Sequence, residues 1–439
     1  MINKLPFWQN WARNIQCSPS NIEHPETEQA ILDIIKTAAA ADKRVRVAGN
    51  GHSFTALDST QETMLQLDKL QGLIQLDSEA STAKAWAGSS IKNLNQQLFD
   101  KGFNLINLGD IDVQSIAGST ATGTHGTGLR FGNISSQMSA FTIATADGQV
   151  LECSKDKNPE IFNAGRVSLG SLGIITQMTM DVVPAYKLEY VAKKSKLSKT
   201  LDNLEEYIAN NRNFEFYWFP YTQTVQNKFS NETDKPVKDP AWLKYINQHL
   251  MENGFFGLLC GIGSTINNSY WPLAKIIGAG ATSESKINHS HLIYATPRNV
   301  RFKEMEYNIP IEHFKEVMQR IVRKIHDEHY RVYFPIECRF VKGDDIWLSP
   351  SYGRDSAYMA FHVDNRTPHN PYFKDIENIM MEYGGRPHWG KMHTRKADTL
   401  TTAYPMWEQF HEIRKKLDPK GMFLNDYLRD MFGLNSVLE

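Results

Sequence analysis

Three glycine-dense segments punctuate the first half of the chain: RVAGNGHS at 46–53, SIAGSTATGTHGTG at 115–128 and SLGSLGIIT at 168–176. In the first, Val45 and Val47 alternate as a buried strand does, and Gly49, Asn50 and Gly51 then supply residues that tolerate positive φ. Successive backbone N–H groups can converge there on an anion, and His52 stands at the lip. By itself a Gly-Asn-Gly turn before a histidine is commonly a hairpin with a solvated imidazole. The second segment carries no charged residue and consists almost wholly of small or hydroxyl side chains. It can build no packed core, but it lets backbone approach a polar ligand closely and offers many donors. The third repeats the pattern ahead of the apolar strand Ile174 to Val183. Three separated cradles suit one long, folded dinucleotide.

At 439 residues the chain exceeds what one core usually supports, so two domains are expected. A net charge of −1 argues against an attractive field for nucleic acid or anionic membrane. The N-terminus lacks a continuous apolar core of the secretory kind. The best membrane candidate, Gly254 to Gly263, is interrupted too soon to span, so no integral membrane segment is expected, and shallow surface attachment stays open. Cys17, Cys153, Cys260 and Cys338 are scattered, which fits a reducing cytoplasm and neither zinc clusters nor a disulfide framework. His125 and His393 have no partners at metal-ligand spacing within a helix, so no metal is expected. Oligomeric state is not legible.

Ile31, Ile34, Ile35 and Ala38 share a helical face. Residues 83–88 read as a strand, followed by a helix capped by Ser89 or Ser90 with Ile91, Leu94 and Leu98 inward. Asp147-Gly148 reads as a two-residue hairpin turn. The mixture lacks the regular βαβ repeat of a Rossmann unit. After Pro184 aromatics and charges become denser, and Phe314, Val317, Met318, Ile321, Val322 and Ile325 trace a helical stripe. Trp407, Phe410, Ile413 and Leu417 predict a last amphipathic helix. In RVYFPIECRF, residues Val332, Phe334, Ile336, Cys338 and Phe340 point to one side of a strand and Glu337 and Arg339 to the other. From pattern alone that pair is equally an exposed ion pair or a site. AYMAFHVD puts His362 on a face with Tyr358 and Ala360, where it can sit close to Glu337.

The ordered set GNGHS, SIAGSTATGTHGTG and SLGSLGIIT, with FWQNWARN near the N-terminus, PIECRF, HWGK at 388–391 and DPKGMFLNDYL at 418–428, resembles the vanillyl-alcohol-oxidase type of FAD-linked oxidase, in its aldonolactone and polyol oxidase branch. The resemblance implies an α+β fold, a two-domain FAD-binding fold of PCMH type with an α+β cap: residues 1–185 for FAD, 186–395 for the cap, and 396–439 returning to the first domain. It implies FAD attached through His52, and contacts from Val47, Ala48, Gly49, Asn50, Gly51, Ser53, Ser115, Thr120, Gly123, Thr127, Gly128, Gly173 and Ile174. It places Glu337 and Arg339 in the substrate pocket, Ser115 on substrate, Lys391 at the pyrimidine end of the flavin, and Gln114 where oxygen access is controlled. The implied reaction dehydrogenates a sugar 1,4-lactone by hydride transfer to flavin N5. Glu337 or His362 would take the hydroxyl proton, and oxygen would be the acceptor giving peroxide. A linear polyol as substrate, or a dehydrogenase handing electrons to a quinone or cytochrome, remains the alternative.

Overall fold

The computed structural model describes residues 6–239, 270–296 and 300–434. Gly254 to Gly263 and Cys260 therefore lie outside the described residues. Thr27 caps the helix Glu28–Ala40 by accepting from the Ala30 N–H, and Ile31, Ile35 and Ala38 are buried beneath it. Three short parallel strands, Asn21–Glu23, Thr63–Leu65 and Val45–Val47, lie beside it with Thr63–Leu65 in the middle. A six-stranded antiparallel sheet follows, built on the long strand Ile174–Pro184. Thr82–Trp86 is one of its strands, and Ser90 rather than Ser89 caps the helix Ile91–Phe99, burying Ile91, Leu94 and Leu98 as expected. The Asp147-Gly148 turn does join paired strands, but its loop is longer than two residues. Thr145 and Gln149 close it, Gly148 takes φ +79°, and Asp147 accepts from both Thr145 and Gln149.

The second half forms an eight-stranded sheet in the order Glu284–His289, Lys187–Lys196, Thr224–Glu232, Asn213–Trp218, Ile336–Val341, Ser356–Asp364, Phe302–Pro310 and Arg386–Pro387. Alternation sorts its residues onto two faces. Phe214, Phe216, Trp218, Met305, Tyr307, Ile309, Ile336, Cys338, Met359 and Phe361 bury one face against the helices Phe314–Glu328 and Tyr372–Glu382. The first of these helices seats Phe314, Val317, Met318, Ile321 and Ile325, as its stripe predicts, with Val322 at the edge. Glu304, Glu306, Asn308, Tyr358, His362, Glu337, Arg339, Glu215, Tyr217 and Lys228 occupy the opposite face. The strand bearing Glu337 begins only at Ile336, because Pro335 cannot donate to a ladder; Val332 and Phe334 are buried without belonging to it.

The first core extends from Ile31 to Val182 and also takes in Ile346, Leu348, Trp389 and residues from Leu400 to Phe432. Trp407, Phe410, Ile413 and Leu417 are buried on the helix Trp407–Leu417, but that helix is not the last. Asn425 caps a further one, Asp426–Met431, and its side-chain amide reaches the carbonyls of Ala56, Leu57 and Ser59. Among the described residues no helix is long and apolar enough to cross a membrane, and Cys17, Cys153 and Cys338 are free and buried.

Candidate active site

The glycine segments meet. A Cβ on Gly49 would stand 2.8 Å from the Ser115 Oγ, and Asn50 donates from its side chain to the Val113 carbonyl at 2.5 Å, so the first two cradles abut. Ser115 caps Ile116–Ala121 by accepting from the Gly118 N–H at 3.2 Å. The third segment is joined by Arg46, which is buried and spends its guanidinium on backbone. It donates to the carbonyls of Leu57, Leu169, Gly170 and Phe423 at 2.5, 2.5, 2.8 and 2.9 Å. Burial lowers its pKa to about 10, so it remains a cation at neutral pH.

The N-terminal segment folds over the first cradle. The Trp11 N–H donates to the Gly51 carbonyl at 2.7 Å, Asn10 to the Ser53 carbonyl at 2.9 Å, and the Trp11 ring stacks on His52 with centroids 5.7 Å apart. Gly51 takes φ +69°, a left-handed conformation that favours glycine, with Asn10 and Trp8 packed beside it. On the other side, Phe54 N–H and the Ser53 hydroxyl reach the Gly390 carbonyl, and Lys391 Nζ lies 5.0 Å from the Phe54 ring centre. Burial, with Lys391 second, lowers the His52 pKa to about 4, which leaves a neutral imidazole.

The remaining predicted cofactor residues make contacts within and between these loops. Val47 ends its strand and Ala48 is buried, its N–H bonded to Leu65. The Thr120 hydroxyl is bonded to Ile116 and Ala117, and Gly123 packs at φ +70° against Pro350. The Thr127 hydroxyl donates to the Phe214 carbonyl at 2.5 Å and Gly128 N–H to Phe340, so the second segment ends on the cap sheet. Gly173, at φ +151°, has no room for a Cβ beside the Ala144 carbonyl, and Ile174 is buried.

The polar sheet face overhangs this region with its charges paired. Arg339 donates to Glu215 at 2.9 Å, to Asp110 in the loop before Ser115, and forms an ion pair with Glu337. Burial alone would lower its pKa, but Asp110, Glu337 and Glu215 hold it well above the ordinary value. Lys228 bonds the far oxygen of Glu215 at 3.2 Å. A cavity of about 50 Å³ opens beside Arg339, lined by Asp110, Glu215, Lys228 and Asn213 among others. Glu337 registers with Ala360, two residues from His362 on the same face, and His362 Nε2 faces Glu304 at 3.5 Å. Lys391 Nζ bonds the other Glu304 oxygen at 2.5 Å. Burial would raise the Glu304 pKa, but Lys391 and His362 overcome it and hold the carboxyl well below the usual range.

Next along the face, Glu306 Oε1 bonds His125 Nε2 at 3.0 Å while His125 Nδ1 faces the Gly126 carbonyl at 2.8 Å. His125, Glu306 and His388 bring ligand-capable atoms within 4.8 Å of one another, a juxtaposition across three segments that spacing within one helix cannot reveal. Asp110, Glu215, Lys228, Glu304 and Glu306 were all missed from sequence. The signal for the last two lay in FKEMEYNIP, where Glu304, Glu306 and Asn308 alternate with Met305, Tyr307 and Ile309.

The three segments, the first meeting the second where Gly49 lacks a Cβ and the third tied to the first by Arg46, fit a dinucleotide. A buried Gln114 Oε1 beside Ser115 has no hydrogen-bond partner among the described residues, which suits a ligand N–H. Fold and site together define an FAD-dependent oxidoreductase acting on CH–OH groups. A family model described as an FAD binding domain matches residues 19–154, and one described as D-arabinono-1,4-lactone oxidase matches 178–431. The chain is 38% identical to L-gulono-1,4-lactone dehydrogenase of Mycobacterium tuberculosis over 98% of this chain and 99% of that one. It is 34% identical to L-gulonolactone oxidase of Bos taurus, covering 97% and 98%. A mutant cholesterol oxidase from Brevibacterium sterolicum superposes with TM-score 0.80 over 98% of both chains at 17% identity, a likeness of fold. The chain belongs to the D-arabinono-1,4-lactone oxidase family, in the aldonolactone branch of the vanillyl-alcohol-oxidase-type flavoproteins.

Proposed function

We propose that this enzyme oxidises a sugar 1,4-lactone of the gulono-, galactono- or arabinono- type, with FAD attached through His52 and oxygen as the acceptor. The observations that support the reading are Arg339, paired with Glu337, bonding Asp110 in the loop before Ser115, Ser115 abutting the first cradle at Gly49, and the Lys391 charge near His52. Residues 47–53 and Ser115 hold the cofactor, and Thr120, Gly123, Thr127, Gly128, Gly173 and Ile174 keep the loops in shape around it. Bound FAD supplies the two-electron acceptor. His52, neutral because burial and Lys391 depress its pKa, has the free lone pair that a covalent bond to the flavin requires.

Arg339 stabilises negative charge developing on the substrate oxygen, and Ser115, whose oxygen accepts from Gly118, keeps its hydrogen to donate. Glu337 takes the hydroxyl proton. His362 is not placed to do so, since Nδ1 faces the Pro335 carbonyl at 3.3 Å and Nε2 faces Glu304. The test is flavin absorbance in acid-precipitated protein, mass spectrometry of the His52 peptide, and bleaching by a lactone panel without oxygen. A colourless precipitate rejects the covalent bond, and failure of every lactone to bleach the flavin rejects the substrate class.

A second reading, a dehydrogenase passing electrons to a quinone or cytochrome, is favoured by the name of the Mycobacterium relative. Peroxide yield under air decides between them: rapid flavin reduction without peroxide selects the dehydrogenase. Free buried cysteines at 17, 153 and 338 support a cytoplasmic location.

A further inference from the structure

Glu304 is a carboxylate that no motif and no resemblance assigned. It is 6% exposed, on a strand whose other face is core. Taking a carboxylate out of water is costly unless strong partners replace the solvent. Its two partners are both site candidates contributed by other segments. Lys391 Nζ lies at 2.5 Å on one oxygen, and His362 Nε2 lies at 3.5 Å on the other. The neighbouring acid, Glu306, is accounted for differently, since its His125 partner sits inside the second glycine segment and bolts the sheet to it.

The Lys391 side chain hangs on a four-carbon stem, and Glu304 is the hydrogen-bond partner recorded for its ammonium among the described residues. Without that bond the stem has many rotamers of similar energy, and the charge would be spread over them. The His362 ring packs edge-on against Phe302, stacks on Phe334, and faces the Pro335 carbonyl and Glu304 with its two nitrogens. Removing Glu304 therefore takes away the carboxylate shared by two cation-capable groups, leaving Lys391, among the described residues, only the Phe54 ring and loosening His362 at Nε2.

We infer that Glu304 is a positioning residue of this site, one buried carboxylate that holds the Lys391 ammonium and the His362 imidazole in place, and that turnover depends on its negative charge. The inference rests on the functional reading above. A mere strut between sheet and cradle would show itself in folding and flavin content. A positioning residue shows itself in turnover of a protein that still folds and keeps its flavin, beyond the stability lost with the ion pair.

The test uses the flavin-loaded full chain as wild type, Glu304→Gln, Glu304→Asp, Lys391→Met and the Glu304→Gln/Lys391→Met double variant. L-Gulono-1,4-lactone is the substrate, with flavin absorbance and thermal unfolding measured on each protein. Glu304→Gln should lower kcat by about 100-fold, the scale of a mispositioned catalytic group. Its KM should stay within about threefold and its flavin content unchanged. Glu304→Asp, which keeps the charge, should stay within about tenfold of wild type. In the Lys391→Met background Glu304→Gln should cost less than about threefold more, and the thermal shifts of the two singles should exceed that of the double. A Gln variant with wild-type kcat, a Gln effect that persists undiminished without Lys391, or a Gln variant that loses its flavin with Asp no better would overturn the inference. If the wild type turns over no lactone, the substrate reading fails separately, and the thermal cycle still decides whether Glu304 holds Lys391.

Discussion

Replacing Arg46 with methionine removes a fully buried cation while keeping most of the stem's apolar bulk. Four carbonyls, those of Leu57, Leu169, Gly170 and Phe423, then lose their donor at once, and they belong to three separate stretches of chain. Charge-assisted bonds each contribute about 1.5–3 kcal/mol, but the guanidinium's own desolvation offsets much of the sum. The net loss expected is about 3–5 kcal/mol, the range for stripping one partner from a buried charged network. Across a domain of this size that is roughly a 10 °C fall in Tm. Because Arg46 ties the third glycine segment behind the first, flavin retained per chain should fall as well. Lysine should not rescue it: a compact ammonium has three donors and cannot span four carbonyls held by a planar fork. Differential scanning calorimetry and the ratio of flavin to protein absorbance on gel-filtered protein give both readouts. An Arg46→Met protein melting within about 2 °C of wild type with full flavin content would refute the claim that this residue fastens the cradle.

Gly49→Ala should cut flavin occupancy, since its Cβ would stand 2.8 Å from the Ser115 Oγ. Adding Ser115→Gly should restore flavin absorbance while turnover stays low. Arg339→Lys should lower kcat/KM by about 100-fold or more and destabilise by about 2–3 kcal/mol, because one ammonium cannot bridge Asp110, Glu215 and Glu337 and leaves like charges facing one another. Steady-state kinetics and urea melts check it. Acid should destabilise the fold in two stages. Burial depresses His52, His393 and His411 to about 4 and His388 to about 3, so their unfolded forms take up protons preferentially and stability falls as pH drops below about 6.5. Glu304, Glu306 and Glu377 are held below the usual carboxylate value, so their contribution, complete above about 4.5, is lost as pH falls further. Asp58 and Asp344, raised to about 6 by burial, work in the opposite sense but are outnumbered. Tm measured from pH 7 to 4 should fall throughout; a rise over that interval would contradict the assignment.

Local signals with strong periodicity were readable. The stripe from Phe314 to Ile325 became a helix seated on the sheet, and Trp407 to Leu417 became another. Boundaries failed where a single residue overrode pattern, as at Pro335, which delays the strand of Glu337 and Arg339. Sequence put His362 on the same face as Glu337 but could not name the partner of its Nε2, which depends on strand register. The register puts Glu304 directly opposite His362 and Ala360 opposite Glu337. Glu304 and Glu306 were overlooked because an acid within an alternating strand is usually solvated. Here the polar face is covered by the glycine segments and becomes interior.

By itself the sequence determined the chemistry available: loops too poor in side chains to form a core, a histidine at the edge of one of them, and an acid–base pair on a strand. Backbone freedom and side-chain type are properties of residues and need no neighbours. Only the tertiary structure decided which charges meet. Asp110, Glu215, Glu304 and Lys391 come from segments far apart in the chain, and each is buried or half-buried beside a partner that no local pattern names. Burial makes those pairings compulsory, because a charge removed from water must find its counterpart wherever the fold brings one.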